Sequence, residues 1–225
     1  MDVVVEGGSI NITTSGDATY DSSERDTKSA AGIKADGNID IRGGKIVLSS
    51  SGTGGKGLNA DADIIISGGI VDVATSGGKY TYSSSLTSSP KGIKADGDIV
   101  ISGGEVLVEV TGRSDGSEGI ESKSAMMIEG GEVIVNAYDD GVNAASGITV
   151  NGGRLFARAT NNDGIDSNSK LTINGGLVIG VGASAPEAGV DVDNSNNFIV
   201  NGGTIICLGA SLQSAPSTQS KQCSV

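Results

Sequence analysis

The chain has no histidine and no tryptophan, and only two phenylalanines and four tyrosines among its 225 residues. Without histidine, a His-based catalytic triad and an imidazole-held zinc site are excluded. Without large rings, a core must be filled by Ile, Val, Leu and Ala. Positive charge is scarce as well: 15 Lys and Arg stand against 27 Asp and Glu, a net charge of −12. That balance supplies no basic face for nucleic acid. No stretch approaches the roughly 18 consecutive apolar residues of a membrane span. The two cysteines decide little about compartment. Cys207 falls at an inward strand position and Cys223 in a polar tail, so a buried unpaired Cys207 is expected, with a Cys207–Cys223 disulfide as the alternative.

What the chain does have is glycine, 37 residues of it, and the glycines are periodic. The phrase GIKADGDIVISGGEVLVEV, from Gly92 to Val110, recurs as GIKADGNIDIRGGKIVL from Gly32 and GLNADADIIISGGIVDV from Gly57. Looser versions begin at Gly119, Gly141, Gly164 and Gly189. Glycine pairs open at Gly7, Gly43, Gly68, Gly103, Gly130, Gly152, Gly175 and Gly202, at spacings of 36, 25, 35, 27, 22, 23 and 27 residues. A minimum near 22 with variable insertions is the pattern of a solenoid. Each unit reads as a strand, a turn, a second strand, a Gly-Gly corner and a third strand.

Alternation within the strands marks the inward residues. The first strands turn in Ile33, Leu58, Ile93, Ile120, Val142, Ile165 and Val190. The second turn in pairs such as Ile39/Ile41 and Ile99/Ile101, and the third pairs such as Val71/Val73 and Val133/Val135. The expected fold is all-β: a three-faced parallel β-helix of about eight rungs, stacked about 4.8 Å apart, occupying residues 1–210. The polar segment 211–225 reads as a tail or cap. MDVVVEGG reads as the strand and corner of a first rung, so a leader is not expected within this chain. Insertions enter mainly between the third strand and the next first strand, longest at Thr13–Ala31 and Ala74–Lys91. Loops gathered on one edge of a solenoid usually mark its working face. All four tyrosines, Tyr20, Tyr80, Tyr82 and Tyr138, are expected at that corner.

Two outward columns carry charge. Two places after each rung-opening glycine stand Lys34, Asn59, Lys94, Glu121, Asn143, Asp166 and Asp191; immediately before it stand Lys56, Lys91, Glu118, Asp140 and Asp163 in the middle rungs. Acids therefore gather in the C-terminal half: Glu118, Glu121, Asp139, Asp140, Asp163, Asp166, Asp191 and Asp193. Stacked carboxylates repel, at up to about 1 kcal/mol per neighbouring pair. A hard cation held by oxygens would turn that repulsion into a calcium site, against the plainer reading of a solvated acidic face. In the N-terminal half, Lys34, Lys56, Lys91 and Lys94 either pair with Asp36, Asp61 and Asp96 or grip acidic sugars, with Lys91 and Lys94 the carbohydrate candidates. The tyrosines either stack on sugar rings or pack their own loops. An outward apolar stripe, Leu107, Ile134, Phe156, Ile179 and Ile206, calls for a cover: the tail first, otherwise a neighbouring domain or a second copy. Support for catalysis is slight, and no catalytic residue is assigned; a lyase would need calcium and a base such as Lys123 or Arg113.

The GIKAD…GG repeat, the final GGTIICLGAS rung and the following QSAPSTQS resemble a family of secreted bacterial carbohydrate-binding proteins with a right-handed parallel β-helix similar to pectate lyases. The resemblance spans almost the whole chain. It implies calcium bound along the helix, chiefly at Asp140, Asp163 and Asp166, and binding of plant-wall polysaccharides, acidic ones included, with no strong lyase activity. The expectation is an extracellular or cell-surface domain with polysaccharide as partner. A weak calcium-dependent lyase and a structural or adhesive spacer stand as alternatives.

Overall fold

The computed structural model describes residues 1–210 and 216–222, and they form a coil of stacked rungs. Three parallel sheets run the length of the coil. The first sheet has seven strands, Ala31–Ala35, Lys56–Ala60, Lys91–Ala95, Glu118–Ser122, Val142–Ala144, Ile165–Ser167 and Val190–Val192. The second has eight, from Val3–Val5 to Phe198–Val200, and the third eight, from Ser9–Thr14 to Thr204–Leu208. Every neighbour in these sheets is the equivalent strand of the next rung. The register stacks like on like: Ile99 lies between Ile64 and Met126, and Val106 between Val71 and Val133. Among the described residues the only helical turn is Ser195–Asn197.

The inward columns are the core. Ile39, Ile64, Ile99, Ile120, Val142 and Ile165 are fully buried, and each such side chain contributes on the order of 1.5–3 kcal/mol. Small residues sit where the first sheet bends toward the second. There the hydroxyl of Ser122 donates to Gly97 O at 2.9 Å, and that of Ser167 to Lys170 O at 3.0 Å. Each third strand is preceded by a left-handed glycine, the second of the Gly-Gly pair; Gly44, Gly69, Gly104 and Gly131 have φ between 80° and 88°. A Cβ on Gly69 would lie 2.6 Å from Gly44 O, so both conformation and stacking demand glycine there. Gly69→Ala should cost about 2 kcal/mol or more, read as a lower urea midpoint. Gly78, whose Cβ would meet nothing within 4 Å, is the control; an alanine there should cost under about 0.5 kcal/mol. Equal midpoints for the two variants would refute this account of the corner.

Side chains form ladders at the Gly-Gly corner and at the turn from the first sheet to the second. Asn151 donates to Glu129, Asn174 to Asn151 and Asn201 to Asn174, at 2.7–2.8 Å. Asp63 Oδ1 accepts from Asp98 N at 2.8 Å, and Asp98 Oδ1 from Ala125 N at 3.0 Å. Each rung is thus pinned to the next outside the sheets as well.

The described part of the tail does not cover the apolar stripe. Ser217 N donates to Phe198 O at 2.7 Å and Lys221 N to Val200 O at 3.0 Å, while Val200 N donates to Ser220 Oγ at 3.0 Å. The tail satisfies the free edge of the last second-sheet strand, which is where unpaired backbone groups are most in need of partners. Leu107, Ile134, Phe156 and Ile179 stay half-buried and Ile206 is exposed. Cys207 is half-buried and packs against the core; Cys223 lies outside the described residues.

Candidate functional site

The two long insertions fold as antiparallel hairpins, Thr19–Asp21 with Asp26–Lys28 and Tyr80–Thr81 with Thr87–Ser88. The hairpins hold each other. Tyr20 and Tyr82 stack face to face, with centroids 3.8 Å apart and planes 6° from parallel, and Thr27 Oγ1 donates to Thr87 O at 3.3 Å. Together they wall a groove of about 460 Å3 over the first sheet. Its floor is the outward column in register, Lys34–Asn59–Lys94–Glu121. Lys28, Lys56, Lys91, Lys123, Asp61 and Asp96 complete its charged lining with Glu24 and Asp26.

Two groups on this floor are unusual. Lys56 is only 5 % exposed, yet no carboxylate lies within 4.0 Å of it among the described residues. Its ammonium donates to Ser29 Oγ at 2.5 Å, Ser88 Oγ at 2.9 Å and Gly54 O at 3.3 Å. Burial, with repulsion from Lys94 and Lys91, pushes it down to about 7. Asn59 is also buried, and its Oδ1 has no donor. A buried cation without an anion and a buried acceptor without a donor both favour a polar ligand carrying negative charge and hydroxyls.

Further along the same face the charge reverses. Lys91 is buried between Glu118 and Glu121, with Nζ–O distances of 2.9 and 3.2 Å, and Lys123 also meets Glu121. Burial would raise Glu121, but Lys91 and Lys123 together hold it below its ordinary range. Glu118 ends up raised to about 7, burial outweighing Lys91. Beyond it, carboxylate oxygens of Glu118, Asp139 and Asp140 lie within 4.8 Å of one another. Asp140 is 4 % exposed and is pushed up to about 8 by burial and by Asp166, Glu118 and Asp139. Asp166 rises to about 7, mainly through burial and then through Asp163 and Asp191. Asp163 rises to about 6, again mainly through burial. Asn143 bridges two of these acids, donating to Asp166 at 2.6 Å and Asp140 at 3.4 Å.

A family model described as carbohydrate-binding domain-containing protein matches residues 1–77, 50–116, 77–161 and 107–224. The chain belongs to that family. No curated protein and no solved structure matches significantly. Four overlapping matches are what stacked rungs produce, because one pattern is satisfied at several offsets along the coil.

Within this carbohydrate-binding domain the expected residues divide. Lys94 lines the groove and pairs with Asp96. Lys91 lines it too, but its charge is spent on Glu118 and Glu121 rather than on the neighbouring aspartates. None of the four tyrosines lines the groove. Tyr20 and Tyr82 spend one ring face on each other, Tyr80 sits half-buried in the second hairpin, and Tyr138 lines a separate hollow. Of the acids, Glu118, Asp139 and Asp140 come together, Asp163 and Asp166 stand on the next rung, and Glu121 belongs to the lysines. Asp191 continues the column beside Asp166, with exposed Asp193 near its end. The outward columns did point to Asn59. Ser29 and Ser88 lie in the insertions, where no repeat marks them.

Proposed function

We propose that this carbohydrate-binding domain is an extracellular, calcium-loaded solenoid that holds polysaccharide without cleaving it, with acidic plant-wall glycans as the preferred class. The observation that carries the reading is the groove floor. Lys56, hydrogen-bonded on all three sides but lacking an acid, adds uncompensated positive charge beside Lys34 and Lys94, and buried Asn59 lacks a donor; a carboxylate and a hydroxyl answer these, the pair that a uronic acid carries. Lys34 and Lys94 flank Asn59 at the strand spacing, so an extended chain crossing these rungs meets a cation on either side of the Asn59 acceptor. The extracellular location follows from the resemblance and from where such polymers lie.

Calcium fits the acidic corner by donor chemistry. Glu118, Asp139 and Asp140 offer clustered hard oxygens, and Asp140, buried among like charges, has no cation of its own within 4.0 Å among the described residues. Bound there, calcium would neutralise the corner; Asp163, Asp166 and Asn143 would supply the surrounding polar shell. The non-cleaving reading is supported by Lys123, where burial works to lower the amine but the Glu121 carboxylate outweighs it and keeps the proton on. The lyase alternative would draw on Arg113, which lies in a hollow that none of Glu118, Asp139 and Asp140 lines, or on Lys56, whose lowered affinity for protons suits a base but whose amine is enclosed by three acceptors.

Lys34→Gln/Lys94→Gln should lower affinity for polygalacturonate by about a hundredfold, since each of the two removed charge-assisted contacts is worth on the order of 1.5 kcal/mol or more. Pull-down with and without EDTA reads the result, alongside ultraviolet absorbance for unsaturated products. Unchanged retention would move the binding surface elsewhere. Turnover abolished by Lys56→Met would replace the binding reading with the lyase.

A further inference from the structure

The outer face of the third sheet carries a second hollow, of about 200 Å3, built from different chemistry. Its floor is another outward column in register, Glu109–Asn136–Arg158. Tyr138 follows directly on the strand Glu132–Ala137, and Arg113 lies just past the strand Glu105–Val110. All five residues line the hollow. Among the described residues, neither Arg113 nor Arg158 has a carboxylate within 4.0 Å. By contrast, Arg42 meets Asp40 and Glu6, and Arg154 meets Glu132. Glu109 is the one carboxylate among the residues lining the hollow, so in a chain with a net charge of −12 the two guanidiniums there still leave it net positive. None of Glu118, Asp139 and Asp140 lines it.

We propose that this hollow is a second saccharide site, separate from the groove and independent of any cation, which takes a sugar bearing a carboxylate or sulfate. The guanidinium fork matches either oxyanion through paired N–H donors. The Tyr138 ring gives a flat apolar surface for a sugar face, and the Asn136 carboxamide both donates to and accepts from hydroxyls. The inference rests on the carbohydrate-binding reading and adds a consequence: sites on two faces of one rung stack engage one polymer together, raising retention without a new contact at either.

The test is calorimetric titration in EDTA with digalacturonate, a sulfated disaccharide and neutral cellobiose as probes. In a Lys34→Gln/Lys94→Gln background, which removes the two outward-column cations of the groove and leaves the enclosed Lys56, one anionic saccharide should still bind per chain. Adding Arg113→Gln/Arg158→Gln should weaken that binding about tenfold or more. Cellobiose should bind at least about tenfold more weakly than either charged probe, and the stronger of the two anions names the ligand. Both arginines are exposed, so the melting temperature of the variant should match its parent. If the groove substitutions abolish all binding, or the arginine substitutions leave affinity unchanged, the second site is refuted and the groove reading stands. If the arginine substitutions alone abolish all binding in an intact groove, the hollow stands and the groove reading falls.

Discussion

Lys91→Met is expected to lower the unfolding free energy by about 3–5 kcal/mol at pH 8 in EDTA, the usual cost of stranding buried charge. The substitution keeps the stem volume but leaves Glu118 without its nearby cation and takes one of two from Glu121. All three side chains are nearly enclosed, so solvent cannot substitute for the lost ammonium. The loss should shrink at pH 5, because Glu118, raised to about 7, is protonated there with or without Lys91 and leaves no stranded charge. Lys91→Met/Glu118→Gln/Glu121→Gln should recover most of the stability, since the amides need no counter-charge. Urea unfolding of the three proteins at both pH values measures this. A deficit below about 1 kcal/mol at pH 8 would place the pair in the class of exposed ion pairs and refute the buried-pair account.

The second large effect is that of pH on the calcium-free protein. Asp140, Asp166, Asp163 and Glu118 have folded-state values of about 8, 7, 6 and 7, all above their ordinary ones. The folded chain therefore binds protons that the unfolded chain has released. Stability from this cluster is fully present below about pH 4 and is lost as pH rises toward 8. In EDTA the melting temperature should fall from pH 5 to pH 8. Calcium bound as proposed would compete with those protons, so its stabilisation should grow over the same interval. At a hundredfold excess over its dissociation constant it should add about 2.7 kcal/mol at pH 8. Scanning calorimetry with and without EDTA reads both slopes, and Asp140→Asn should flatten the EDTA slope. Superimposable scans with and without calcium at pH 8 would refute the cation site.

Much of this was legible in the repeats. Alternating Ile and Val set the inward columns, and the Gly-Gly pairs set the corners. Counting from the rung-opening glycine placed Lys34, Asn59, Lys94 and Glu121 in one line, as the sheet register has them. What the repeats could not show is what covers them. Lys56 reads as an outward residue, but the hairpins fold over it, and their docking depends on contacts between residues some sixty positions apart, such as Thr27 with Thr87. Tyrosines assigned to one corner separate for the same reason. Tyr20 and Tyr82 ride on the hairpins and find each other, while Tyr138, in the short connection between Ala137 and Val142, stays at the corner but lines the hollow on the third-sheet side.

The clasped hairpins also make the coil mechanically uneven. Beyond the Lys91 rung, successive turns are joined by the sheets and by side-chain ladders between neighbours, so peeling from that side releases one turn at a time, like a zipper. Near the Lys56 rung, the Tyr20–Tyr82 stack and the Ser29–Lys56–Ser88 knot bridge turns that are not adjacent in the chain, and those turns must let go together. Under load, such a coil should yield in small steps at one end and hold until a single larger release at the other, where the groove lies.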